Sequence, residues 1–314
     1  MDIQVEQVAS KIEAFIAEKV TEFARDGAIL GMSGGIDSTV TAILAVRALG
    51  AEKVLALLLP ERDSSRESRT DALTVIKDLK IAYRTVNLTP LLSALGIYHL
   101  NPLRILGRWT FREKVVKAEY QRQAEILQET PFRAGLQGTR HIGKTKAVID
   151  AGNAYARAKH RARMLALYFF ADLENRLVLG TTNKSEAMTG FVVKWGDNVA
   201  DIEPLLPLYK TQVRQLALYL GVPHEIMDKP PSPDLIPGIV DELALGIDYE
   251  TLDKILWGLE QGWEKAQLMS TYRVEGDAVE HVRELVRRSK HLRELPPAPL
   301  ISTPPGENLP QTGS

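Results

Sequence analysis

No cysteine occurs among the 314 residues. That excludes a disulfide framework, a thiolate metal site and a cysteine nucleophile. It also excludes chemistry in which this polypeptide carries sulfur or releases ammonia through its own thiol. Long apolar runs are missing too: the longest stretches fall well short of the roughly 20 residues that span a bilayer. Charge of one sign is not in excess, since 39 basic residues face 40 acidic ones and the net charge is −1. No global attraction to nucleic acid or membrane is therefore built in, although Arg and Lys are locally dense over 104–163. The N-terminal Met1 to Glu6 is acidic and polar, unlike a secretory signal, so a cytoplasmic location is expected. What remains, with 45% apolar and 25% charged residues, is ordinary globular composition. The length suits one large α/β domain, alone or with a sizeable appendage.

Apolar residues Val8, Ile12, Phe15, Ile16, Val20 and Phe23 recur at helical spacing and predict an amphipathic helix over 7–24. Ala28 to Met32 is a short apolar run of the kind that makes a buried parallel strand. A helix over 36–49 follows and ends at Gly50. Val54 to Leu59 reads as a second strand, 65–79 as a helix and Ile81 to Val86 as a third strand. This alternation predicts an α/β fold built on a doubly wound parallel sheet. Residues 93–150 break the pattern: they hold no convincing strand, a helix over 110–128 and a Gly-rich turn region at 135–143. They read as a helical insertion within a single domain spanning 1–300. A long helix over 151–172 precedes a fourth strand at 176–180. Beyond 209 the chain is mostly helical, with helices over 209–220, 241–245, 250–260 and 275–291. Residues 301–314 form a Pro- and Gly-rich tail expected to be poorly ordered.

The strand at 28–32 runs directly into Ser33-Gly34-Gly35-Ile36-Asp37-Ser38 and then a helix. Two glycines let the backbone approach an anion without an intervening Cβ. The unpaired N–H groups of the first helical turn point at that anion, aided by the helix dipole. Ser33 and Ser38 add hydroxyl donors, and Gly31, Met32 and Ile36 complete the loop's walls. Asp37 would repel a phosphate unless a divalent cation lay between them, which assigns it to Mg²⁺.

This hexapeptide resembles the signature loop of the ATP pyrophosphatase (PP-loop) superfamily, whose Rossmann-like fold is of the adenine nucleotide alpha hydrolase type. Further blocks narrow the likeness: Gly180 to Glu186, Thr189-Gly190-Phe191, Lys194 to Asp197, Asp201 to Leu205, Lys229 to Leu235, Asp241-Glu242 and Leu245 to Tyr249. With Arg161 to Met164 and Ser289 to Arg293, they resemble the ammonia-dependent, single-domain NAD synthetases over 25–90 and 151–299. The resemblance implies ATP-dependent amidation of deamido-NAD, through an adenylated carboxylate, to NAD, AMP and pyrophosphate. It implies ATP contacts at Thr181, Lys210 and Ser232, and a metal pair of Asp37 and Glu186. It also implies deamido-NAD contacts at Arg161, Lys194, Asp201 and His291, with Asp37, Glu186 and Lys194 as the catalytic set, and a homodimer. Glutamine-using relatives carry an amidase domain with a cysteine nucleophile, so free ammonia, or ammonia from a separate glutaminase, is the expected donor. Read without the resemblance, Arg161 and Lys194 are surface cations, Asp201 a turn cap and Glu186 a first-turn acid complementing a helix dipole.

Three features depart from the family pattern. Leu292 stands where a lysine is expected after His291. Gly238-Ile239-Val240 precedes Asp241-Glu242 in place of Gly-Gln. The stretch over 93–150 is longer than expected. Two further readings therefore stay open: a ligase amidating a different carboxylate, and a non-catalytic nucleotide-binding protein. Within the insertion, Gly138 to Thr145 satisfies the Walker A pattern, but Pro131 to Gln137 before it does not read as the buried strand such a loop needs. The final Leu309 to Ser314 resembles a sortase signal without an apolar segment after it, and reads as a disordered tail or an added tag.

Overall fold

The computed structural model describes residues 1–100, 109–136, 144–232, 236 and 238–299. The first half alternates as α1 (Val5–Glu22), β1 (Gly27–Gly31), α2 (Ile36–Leu49), β2 (Val54–Leu58), α3 (Arg66–Leu79) and β3 (Ala82–Thr85). Then come α4 (Thr89–Ala94), α5 (Trp109–Leu127), α6 (Pro131–Gly135), α7 (Lys144–Leu173) and β4 (Arg176–Val178). The rest is helical: α8 (Lys184–Thr189), α9 (Lys210–Leu220), α10 (His224–Met227), α11 (Asp241–Leu245), α12 (Tyr249–Glu260), α13 (Lys265–Tyr272) and α14 (Gly276–Arg293).

The four strands are parallel in the order β3-β2-β1-β4, with Ala28 opposite Val54 and Ile29 opposite Val178. Side chains of period two send each strand's residues to opposite faces. Ala28 and Leu30 of β1, with Val54, Ala56 and Leu58 of β2, pack against α1, α2, α3 and α9. The alternate residues Ile29, Leu55 and Leu57 pack against Leu167 and Ala171 of α7. The sheet is thus covered on both sides, as the doubly wound reading requires. The chain steps outward from β1 through β2 to β3, then returns to the far side of β1 for β4. The strand order reverses there, and in such sheets ligands bind at the carboxyl ends of the strands beside the reversal.

Several boundaries differ from expectation. The helix expected from 151 begins at Lys144, and the fourth strand ends at Val178, after which Leu179 bridges to Ile202 in parallel. The short helices α4, α6, α8, α10 and α13, of four to eight residues, are not predicted from the sequence. No strand occurs among the described residues of 93–150. Their helices lean on the C-terminal helical part: Tyr120 Oη donates to the Ala244 carbonyl at 3.4 Å, and Arg288 pairs with Glu129 at 3.0 Å. Thr130 caps α6 by accepting from Arg133 N, so a helix and not a buried strand precedes the Walker-like stretch. Residues 138–143 of that stretch and the tail from 300 lie outside the described residues.

Candidate active site

The phosphate loop occupies the reversal point. Gly34 has φ of +79°, and a Cβ there would come within 2.2 Å of the Ser68 carbonyl oxygen, so only glycine fits. Ser33 Oγ accepts from Gly35 N at 3.2 Å and lies 3.1 Å from Ser38 Oγ, which donates to the Gly35 carbonyl at 3.1 Å. These bonds lock the turn that opens α2, whose N-terminus has no side-chain cap and faces a cleft of about 260 Å³. An uncapped first turn beside a cleft is a place for an anion. Lys229 also lines the cleft and donates to Ser68 Oγ and Asp71, each at 3.0 Å. Every residue predicted to contact ATP lines this cleft: Gly31 to Ser38, Thr181, Lys210 and Ser232. Glu186, Arg69, His160 and Arg163 line it as well.

At its floor three carboxylates surround one ammonium. Lys210, the first residue of α9 and only 1% exposed, places Nζ 2.5 Å from Asp37 Oδ2 and 3.6 Å from Glu186 Oε1. Asn183 holds the other Asp37 oxygen at 3.1 Å and caps α8 by accepting from Glu186 N at 3.0 Å. Glu186 returns the bond, accepting from Asn183 N at 3.2 Å, which completes a capping box. Glu186 is thus a first-turn acid of α8 that also lines the cleft. Burial would depress the Lys210 ammonium, but Asp37, Glu186 and Asp241 together hold it above its ordinary range. Burial lifts the Glu186 carboxyl well above its ordinary range, Lys210 opposes that, and Asp37 and Asp241 add to it.

Asp241 was visible as a motif letter but was not expected in the site. It is 3% exposed, Tyr249 Oη donates to its Oδ2 at 2.9 Å, and burial raises it to about 6. Its buried Oδ1 has no hydrogen-bond partner among the described residues. A carboxylate brought in from a distant helix carries no local sequence signal beyond the Asp-Glu pair itself. The oxygen-only donor set, the partnerless Asp241 oxygen and the crowding of three carboxylates on one cation all suit a hard divalent ion. No group of three or more ligands converges on one point among the described residues. Mg²⁺ takes one or two carboxylates and draws its other oxygens from phosphate and water, and Asp37 and Glu186 would supply such a pair.

The residues expected on deamido-NAD do not line the cleft. Three of them gather at an exposed edge instead: Arg161 donates to the Lys194 carbonyl at 3.2 Å, and Lys194 Nζ donates to the carbonyls of His291 at 2.8 Å and Glu294 at 3.1 Å. Lys194, expected in the catalytic set, thus lies with the acceptor residues rather than beside Asp37 and Glu186. Asp201 accepts from Val178 N at 2.8 Å and from Tyr168 Oη at 3.3 Å, the geometry of a turn cap at the end of β4. Leu292 packs with the apolar core of α11 to α14. Its neighbour Arg293 spends its donors on carbonyls of Ala187, Met188 and Val286.

A parallel sheet with a glycine-bearing anion loop at its reversal point, a buried lysine and paired carboxylates defines an α/β nucleotide-binding enzyme. Comparison with known proteins makes the class specific: the NAD synthase family model matches residues 8–108 and 110–296, and the chain belongs to that family. The match runs through 110–150 as well. The NH(3)-dependent NAD(+) synthetase of Thermotoga maritima is 42% identical over 284 residues, covering 90% of this chain and 96% of that one. That of Coprothermobacter proteolyticus is 41% identical over 286 residues, covering 91% and 95%. Among solved structures, an NMN synthetase from Francisella tularensis superposes with a TM-score of 0.70 at 29% identity, over 96% of this chain and 100% of that one.

Proposed function

We propose that this protein is a C–N ligase that amidates deamido-NAD with ammonia, consuming ATP and releasing AMP and pyrophosphate. The Asp37–Lys210–Glu186 centre at the mouth of the Ser33–Ser38 loop carries the reading, because it puts fixed charge where triphosphate charge would arrive. The first turn of α2, the serine hydroxyls and Lys210 bind phosphate oxygens. Asp37 and Glu186 would hold Mg²⁺, with Asp241 adding negative charge beside them; the ion would neutralise charge developing on the phosphates. A carboxylate oxygen of the acceptor attacks the α-phosphorus and pyrophosphate leaves. Ammonia then attacks the acyl carbon, AMP leaves, and the surplus proton passes to solvent. No protein nucleophile is needed; position and electrostatics carry the rate.

The homodimer belongs to this reading. Leu165, Phe169 and Leu173 are 62%, 60% and 65% exposed at four-residue spacing, so they form one apolar stripe on α7. Arg161 lies four residues before Leu165, at the end of that stripe. A second copy covering it would reach the Arg161–Lys194–His291 edge and complete an acceptor site from two chains. A cytoplasmic setting, where ATP is supplied, completes the picture.

Leu292 and the likeness to an NMN synthetase favour one alternative acceptor, the mononucleotide whose amide is NMN. The test is incubation with ATP, Mg²⁺ and ammonium plus either deamido-NAD or nicotinate mononucleotide, with AMP and the amide product quantified. AMP and NAD in equal amounts supports the reading. Turnover confined to the mononucleotide would replace the acceptor, and ATP cleavage with neither would point to another carboxylate.

A further inference from the structure

Helix α12 contributes no residue to the cleft, yet one of its side chains ties together the two elements that do. Asp253 is fully buried, at 0% exposure. Its Oδ1 accepts from Ser185 Oγ at 2.5 Å and its Oδ2 accepts from Thr211 N at 2.8 Å. Ser185 Oγ in turn accepts from Lys210 N at 2.9 Å. Tyr209, the N-cap residue of α9, donates its own N–H to Gln212 Oε1 at 3.0 Å. The first two N–H groups of that helix, Lys210 N and Thr211 N, are satisfied by α8 and α12, while Gln212 N goes to the Tyr209 carbonyl. A serine or aspartate at position 209 could have capped α9 equally well. It would not have fixed α9 to α8.

Ser185 precedes Glu186, and Lys210 precedes Thr211. A single carboxylate thus sets the start of both helices, and with them the spacing of Lys210 Nζ from Glu186 and Asp37. We propose that Asp253 is a positioning residue for adenylation: through Ser185 and Thr211 it holds Glu186 and Lys210 in register with Asp37, so that metal and phosphate are bound together. This rests on the function proposed above for the cleft, but not on the identity of the acceptor. A displacement of about 1 Å at such a centre costs on the order of a hundredfold in rate.

The test compares Asp253→Ala, Asp253→Asn and Ser185→Ala with Leu256→Ala, a core truncation on the same helix that serves as a control for lost stability. Two quantities are read well below each variant's melting temperature: kcat and KM, and the increase in ATP affinity produced by Mg²⁺, measured by calorimetry. Asp253→Ala is expected to lose at least tenfold in kcat and most of the Mg²⁺-dependent gain, with metal-free ATP binding within about threefold. Ser185→Ala should lose severalfold in kcat. Asn can accept from Thr211 N and donate to Ser185 Oγ, so Asp253→Asn should recover most of the loss.

Equal losses in Leu256→Ala, an unchanged Mg²⁺ gain in Asp253→Ala, or no rescue by Asn would each overturn the proposal. So would a wild type in which Mg²⁺ leaves ATP affinity unchanged. Because the calorimetry needs no acceptor, a wild type that makes no NAD overturns the function reading alone.

Discussion

Glu203 gives the most quantitative expectation. Its carboxylate lies under the Gly180–Thr182 turn, so close that a Cβ at Gly180 would fall 2.1 Å from the carboxyl carbon. Thr182 N donates to Oε2 at 3.1 Å, while the buried Oε1 has no hydrogen-bond partner among the described residues. Burial, with a smaller push from Asp197, raises the group to about 8 against the Thr182 bond. The ordinary value of 4.5 applies in the unfolded chain. A folded value above the unfolded one gives stability that is complete below the unfolded value and is lost as pH rises through the folded one.

Across the intervening window the wild type loses ~1.4 kcal/mol per pH unit, which comes to about 2 kcal/mol between roughly pH 6 and pH 8. In a chain of this length that is about 3 °C of melting temperature. Glu203→Gln keeps the shape and the Thr182 bond but cannot ionise, so it escapes this loss. Melting curves of both proteins at the two pH values, at matched ionic strength, read the difference. The variant's melting temperature should gain about 3 °C on the wild type from the lower to the higher pH, whatever the offset at the lower. A gap that stays constant would refute the burial argument. A gap that moves the other way would mean that the ionised carboxylate is what the turn uses.

Lys210→Met should abolish ATP cleavage and also destabilise the fold, by roughly 3–5 kcal/mol, because it leaves buried carboxylates without their cation; pyrophosphate release and denaturant melts check the two effects separately. Lys144→Ala should leave ATP and acceptor kinetics unchanged, since the Walker-like stretch follows a helix rather than a buried strand; altered KM for ATP would contradict that. Phe169→Asp should shift the mass in light scattering from dimer to monomer and lower kcat/KM for the acceptor more than for ATP.

The anion loop was legible because its information is local. A strand, two glycines, two hydroxyls and a helix start are consecutive in sequence, and their order alone fixes an anion loop. Lys210 opens α9 and Glu186 sits in the first turn of α8, each inside a recognisable block, so both could be carried over. What escaped notice is held by long-range bonds. Asp253 acts across 68 and 42 residues through Ser185 and Thr211, and Tyr249 steadies Asp241 from the start of another helix. Periodicity marks Tyr249 and Leu252 as core without showing that the polar side chain beside them is buried too. The edge strand β3 illustrates the converse: its residues are all exposed, yet flanking apolar residues and turn signals still placed it.

The separation between the cleft and the Arg161–Lys194–His291 edge bears on how the acceptor is held. If one chain bound the whole acceptor, its recognition residues should face the phosphate loop. Instead Arg163 of α7 lines the cleft while Arg161 is exposed, because two residues along a helix turn the side chain through about 200°. One helix therefore offers a cation to the ATP side and another to the outside, in line with the bare Leu165–Phe169–Leu173 stripe. The outward face has the composition of a contact surface, apolar along its length and charged at one end. An acceptor bound across it would be ordered only when two chains meet, so assembly and acceptor recognition would be linked while ATP binding would not. Leu292 fits this division. It packs with the helical core beneath the edge that carries Lys194 and His291.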